Sequence, residues 1–273
     1  MSDCLPKEFR FSHEYAFFLH DILASTVVTG EQRGVFDTKL ELASEEEAAE
    51  FTRLSSGEEV WEWIERSQHK HLMYMIIYKQ VLHAVLGDFC HYIYEALTTA
   101  RKGKLSVAYT LLRKPLKDNL LFLEWLLAAP AEFICAFYHQ EPEDYAVDRL
   151  PPEKKLEIIE QATAKTSLPE TFDAKFMYEL RYDKRNAWGF EQLWQQATHL
   201  VTNCKHYRTS KQNFNFIFSG QDDMYLQWDH IYFLLPYVLF YTVEVVESVL
   251  ATFVAEDPRE DLTSTRRKVG FLL

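Results

Sequence analysis

Lys184, Arg185, Trp188, Lys205, His206, Tyr207, Arg208 and Lys211 fall within 28 residues of a chain whose formal net charge is −12, and Asn213, Phe214, Asn215 and Phe216 follow directly. Arginine and lysine neutralise phosphate, aromatic rings stack on unpaired bases, and asparagine can read a base edge. The mixture suits single-stranded RNA or a nucleotide. It also suits a helix–loop–helix corner with its rings in the core and its charges solvated. The net acidity excludes a broad electrostatic attraction to nucleic acid or anionic membrane, so any such binding needs a local basic patch.

A second charged group, Arg113, Lys114, Lys117 and Asp118, interrupts the apolar stretch 104–129. Its cations are candidates to hold phosphate, or they are ordinary snorkelling side chains on a core helix. Asp88, His91 and Glu95 make one polar stripe on a greasy helix and are the candidate metal ligands, with a solvated face as the alternative. The sequence contains no HExxH and no inward-facing pair of ExxH motifs, which excludes zincin and di-iron bundle sites. GxSxG, GxxxxGK[ST] and GxGxxG are also absent, which leaves no nucleophile elbow and no phosphate-cradling loop. The four cysteines form no CxxC pair, and three lie in apolar helical contexts that read as reduced, buried thiols. No cofactor is expected. A reducing compartment and the lack of an apolar leader point to the cytoplasm.

These residues must be positioned by helices. Apolar residues recur at Leu105, Ala108, Leu111, Leu112, Leu116, Leu120, Leu123, Leu126 and Leu127, the stripe of a central helix that Pro115 should kink. A first amphipathic helix is expected over 9–28, closed by Gly30, with a short strand at 35–42. Ser44 with Glu47 and Ser56 with Glu59 match capping boxes and start two more helices. A long helix over 72–100 ends at Gly103. Residues 140–152 read as a loop, and 153–164, 168–181 and 190–203 as helices, before a final helix over 222–255. The most apolar stretch, 231–243, falls short of the roughly 20 residues of a membrane span and reads as a core helix. With only 8 Gly and 9 Pro, the expected fold is all-α, an irregular multi-helix bundle around a central kinked helix. It is divided into an N-terminal helical region (1–67) packed on the core, a main bundle (68–256) and a tail (257–273).

Two segments, AYTLLRKPLKDNLLFLEWLL and HYRTSKQNFNFIFSG, together resemble the HEPN superfamily of all-α nucleotide-binding domains. The resemblance covers roughly residues 85–255. It implies a homodimer and an activity related to the metal-independent ribonucleases of toxin–antitoxin and phage-defence systems, whose site is an Arg followed four to six residues later by a His. Tyr207, Arg208 and Ser210 match the pattern, but its spacing lands on Asn213 or Asn215, and asparagine cannot shuttle a proton near neutral pH. In the first segment the position four after Arg113, usually acidic, is Lys117, with Asp118 next to it. Arg66 and His71 also satisfy the Arg–His spacing. The resemblance thus implies RNA or nucleotide binding by Arg113, Lys117, Tyr207, Arg208, Ser210, Asn213 and Asn215, in a degenerate ribonuclease with Arg208 and Asn213 at the catalytic position. The alternative is a non-catalytic interaction protein (an antitoxin, inhibitor or adaptor) whose acidic surface binds a protein partner and whose GFLL tail docks in a groove.

Overall fold

The computed structural model describes residues 4–67 and 69–254, so the predicted tail and its GFLL segment lie outside the described residues. Those residues form helices α1 (Arg10–Gln32), α2 (Glu45–Thr52), α3 (Gly57–Arg66), α4 (Lys70–Arg101), α5 (Leu105–Lys114), α6 (Leu120–Ala128), α7 (Pro130–His139), α8 (Pro142–Tyr145), α9 (Pro152–Lys165), α10 (Ala174–Tyr182), α11 (Phe190–Thr198) and α12 (Gln221–Leu250). No strand is present among them. The fold is an all-α multi-helix bundle.

Local signals set many of these boundaries. The Ser44 and Ser56 hydroxyls accept from the backbone N–H of Glu47 and Glu59, as the capping boxes predict. Gly103 closes α4 in the left-handed region, at φ 72°, where a side chain is disfavoured. Gly30 does not end α1. A Cβ there would lie 2.5 Å from the Phe36 ring, so this glycine gives Phe36 room to pack on the helix. The same packing folds residues 33–36 as turns, and residues 37–42 follow without the expected strand. Between α9 and α10 the chain makes a short 3-10 turn, Pro169–Thr171, where one helix was expected. Helix α11 ends at Thr198, and 199–220 run as an irregular loop.

The core is continuous, from Leu5 and Phe9 through α1, α4, α5 and α6 to Val249. Helix α4 packs on α5, α1 on α4 and α12, α6 on α9, and α11 on α5. Residues 140–152, expected as a loop, carry the short helix α8, and Val147 and Leu150 after it are buried in the same core. Helix α12 is long and apolar enough to cross a membrane by length and composition, but 72% of its most apolar window is buried within the bundle. Only Cys90 is buried among the cysteines. Cys135 is exposed on α7, and Cys204 is half-buried in the 199–220 loop.

Pro115 acts on the central helix as a widening. Residues Pro115–Asn119 form one π turn between α5 and α6, closed by the Leu120 N–H donating to the Pro115 carbonyl. Helix α10 stabilises this turn. Arg181 Nη1 donates to the Leu116 carbonyl at 3.3 Å, and the Tyr182 hydroxyl donates to the Lys117 carbonyl at 2.5 Å. Arg181 also binds Glu124 at 2.6 Å, both side chains 0% exposed.

Candidate functional site

The seven residues expected to form one site fall into two places. The first is the π turn. Lys117 points to α11 and pairs with Glu191 at 2.6 Å, with the Glu191 side chain only 1% exposed. Tyr207, from the 199–220 loop, lies within electrostatic reach of Glu191. Asn119 turns the other way, donating to Asp88 at 2.7 Å. Arg113 and Asp118 are half-buried and have no hydrogen bond or ion pair among the described residues. Lys155 of α9, which sequence reasoning missed, completes the group. Its ammonium sits 5.3 Å from the centroid of the Tyr182 ring, again with no ion pair among the described residues.

This environment moves two groups toward their neutral forms. Burial pushes the Asp118 carboxyl above the ordinary carboxylate value, against the pull of Arg113 and Lys117 and with help from Asp148 and Glu191. Burial, followed by the neighbouring Lys117 charge, pulls the Lys155 ammonium below its ordinary value. A mixed cluster of this kind on a π turn has the features of a functional site.

The second place is an open groove between the 199–220 loop, α11 and the start of α12, lined by Arg208, Ser210, Asn213, Asn215, Phe214, Phe216 and Gln227. Arg113 and Lys117 do not line it. The rings of Phe214 and Phe218 stack at a centroid distance of 6.0 Å, both exposed. Arg208, Ser210 and Asn213 have no hydrogen-bond partner among the described residues. Asn215 is different. Its amide donates to the His199 carbonyl at 2.7 Å and accepts from Thr209 at 2.8 Å, so it holds the loop together.

Two further contacts fix this face. Phe216 adopts φ 61°, uncommon for an aromatic residue, and its ring packs on Tyr109 at 5.8 Å. His230 of α12 lies 2.9 Å from the Trp188 carbonyl through Nε2 and 3.1 Å from the Tyr109 hydroxyl through Nδ1. Burial pulls its pKa down, and a carbonyl only accepts, so the neutral ring carries its proton on Nε2. Trp188 itself is 71% exposed, and Lys184, Lys205, His206 and Lys211 are exposed as well. Arg185 is bound back to Asp183 at 3.1 Å.

The metal stripe does not assemble. Asp88 binds Lys114 at 2.8 Å and Asn119, and no group of three potential ligands exists among the described residues. Arg66 is exposed and bonded to Glu62 on its own helix.

Comparison with protein-family models, curated proteins and solved structures gives no match. The chemistry is therefore read from the geometry of this chain.

Proposed function

We propose that the chain binds single-stranded RNA or a nucleotide along the groove of the 199–220 loop. The observation that supports this reading is the exposed Phe214–Phe218 stack beside the unpartnered Arg208 and Asn213. Arg208 neutralises a phosphate, the two rings offer faces to bases, and Asn213 addresses a base edge or the ribose. Asparagine in place of the catalytic histidine favours binding without cleavage, as in a degenerate ribonuclease of a defence system. Homodimerisation and a cytoplasmic location belong to the same proposal.

The test is binding of a labelled single-stranded RNA across a salt series. The expected affinity falls steeply with salt, and Arg208→Ala lowers the salt slope by about one ion. Phe214→Ala weakens binding by about 1–3 kcal/mol if a base stacks there. Absence of binding at low salt, with the protein folded, refutes this reading. It would turn attention to a protein partner, which the exposed Leu200, Val201, Ile217, Leu226 and Phe233 favour.

A further inference from the structure

Helix α12 is covered along only part of one face. Leu226, His230, Phe233 and Tyr237 follow one another at steps of four, three and four, so they share one stripe of the helix. Continued toward the C-terminus, the stripe reaches Phe240 and Glu244, both buried, and the Phe172 ring lies 5.4 Å from that of Phe240. Its first half lies open to solvent, with Leu226 65% and Phe233 76% exposed. Exposed rings flank this open half. His230 donates to the carbonyl of Trp188, whose side chain is exposed, and the Tyr237 ring meets the exposed Phe176 of α10 at 5.7 Å. From Leu226 to Tyr237 the stripe runs about three turns, or about 16 Å. The charges beside it share one sign. Helix α12 contains no lysine or arginine, and the exposed Asp222 and Asp229 stand four residues before and three after Leu226, on the same side. Asp173 adjoins the far end, where its backbone N–H donates to the Tyr237 hydroxyl at 3.4 Å. Lys175, next to Phe176, is paired with Glu179 at 3.8 Å.

We propose that this stripe docks an amphipathic helix of a partner protein, apolar along one face and rich in lysine or arginine at the edges of that face. Leu226, Phe233 and Tyr237 stand at the spacing at which a partner helix of the same length presents its own apolar anchors. Burial of these side chains supplies the attraction, and Asp222, Asp229 and Asp173 set which charges are accepted beside it. A second copy of the chain, packed α12 against α12, would set aspartate against aspartate. An RNA strand would set phosphate against the same aspartates with no cation on the helix to offset them. Charge therefore disfavours both as occupants. The proposal goes beyond the groove and does not depend on RNA binding there.

The probe is a fluorescein-labelled peptide of about 18 residues, about five turns of helix, with leucine along one face and lysine elsewhere. A scrambled peptide of the same composition and a peptide with glutamate in place of lysine are the controls, and binding to the full chain is read by fluorescence anisotropy. The lysine peptide is expected to bind saturably, and each control about tenfold or more weakly. Phe233→Asp is expected to lose about tenfold or more in affinity for the lysine peptide. Val28→Asp, at an exposed apolar residue of α1, leaves that affinity unchanged. Asp229→Lys weakens the lysine peptide about two- to fivefold and strengthens the glutamate peptide, a reversal that loss of the fold does not produce. Binding of single-stranded RNA is measured on the same Phe233→Asp protein and is expected to stay as in the wild type, since Phe233 does not line the groove. Peptide binding in a protein that binds no RNA would refute the groove reading and uphold this one. Equal binding of the scrambled peptide, or an unchanged affinity in Phe233→Asp, overturns the proposal. So does RNA binding that Phe233→Asp abolishes in a folded protein, which would give the stripe to RNA. A dimer in sedimentation that Phe233→Asp converts to monomer also overturns it, in favour of a second copy.

Discussion

His230 shows how one side chain on this face converts burial into pH dependence. Its folded pKa is lowered by burial, although the Trp188 carbonyl and Asp229 oppose the shift. The unfolded chain therefore binds more protons as pH falls through the ordinary histidine range near 6.5. The neutral ring contributes its stability above that value and loses it as the solution becomes more acidic, at no more than about 1.4 kcal/mol per pH unit. Urea denaturation of wild type and His230→Gln at pH 7.5 and 5.5 should show a smaller loss of stability in the variant. The cysteines offer a second test of the same physics. Burial pushes the Cys90 thiol up to about 12. The His206 backbone N–H, then the Tyr207 hydroxyl, lowers the pKa of Cys204. Iodoacetamide at pH 8 should modify Cys204 well before Cys90 in the native protein, as peptide mass mapping would show.

The π turn is the element on which the polar groups converge, and its stability depends on α10. Burial works against the Arg181 charge, but Glu124 beside it outweighs that and raises its pKa. Arg181→Leu leaves the Glu124 carboxylate buried without its partner and the Leu116 carbonyl without its donor. The expected loss is about 3–5 kcal/mol by chemical denaturation. Arg181→Leu combined with Glu124→Leu should recover much of it, because the uncompensated charge is then gone. Tyr182→Phe removes only the hydroxyl from the Lys117 carbonyl and should cost about 1 kcal/mol. Pro115 was visible in the sequence as a disruption of the helix. Its outcome as a widened turn was not, because the donors that satisfy the turn stand 65 residues away on α10.

At the scale of the whole molecule, the core runs without interruption from Leu5 to Val249. Trp63 of the N-terminal region and Trp125 and Trp194 of the main bundle are buried in it together. Unfolding followed by tryptophan fluorescence and by far-UV circular dichroism should give coincident single transitions. Two transitions would mean that 1–67 unfolds separately. The all-α class was legible in the sequence because apolar periodicity, the Ser44 and Ser56 caps and the closure at Gly103 are local signals, each written within a few residues. Arg208, Ser210 and Asn213 could be picked out for the same reason, since they are neighbours on one loop. The roles of other residues were decided by tertiary structure alone. Asn215 became a loop fastener and Asp88 a partner of Lys114 and Asn119. Lys117 was taken up by Glu191, 74 residues away, while Lys155 came to stand over the Tyr182 ring. A charge acquires its chemistry from the burial and the partners that packing gives it, and no spacing within one helix encodes a partner on another.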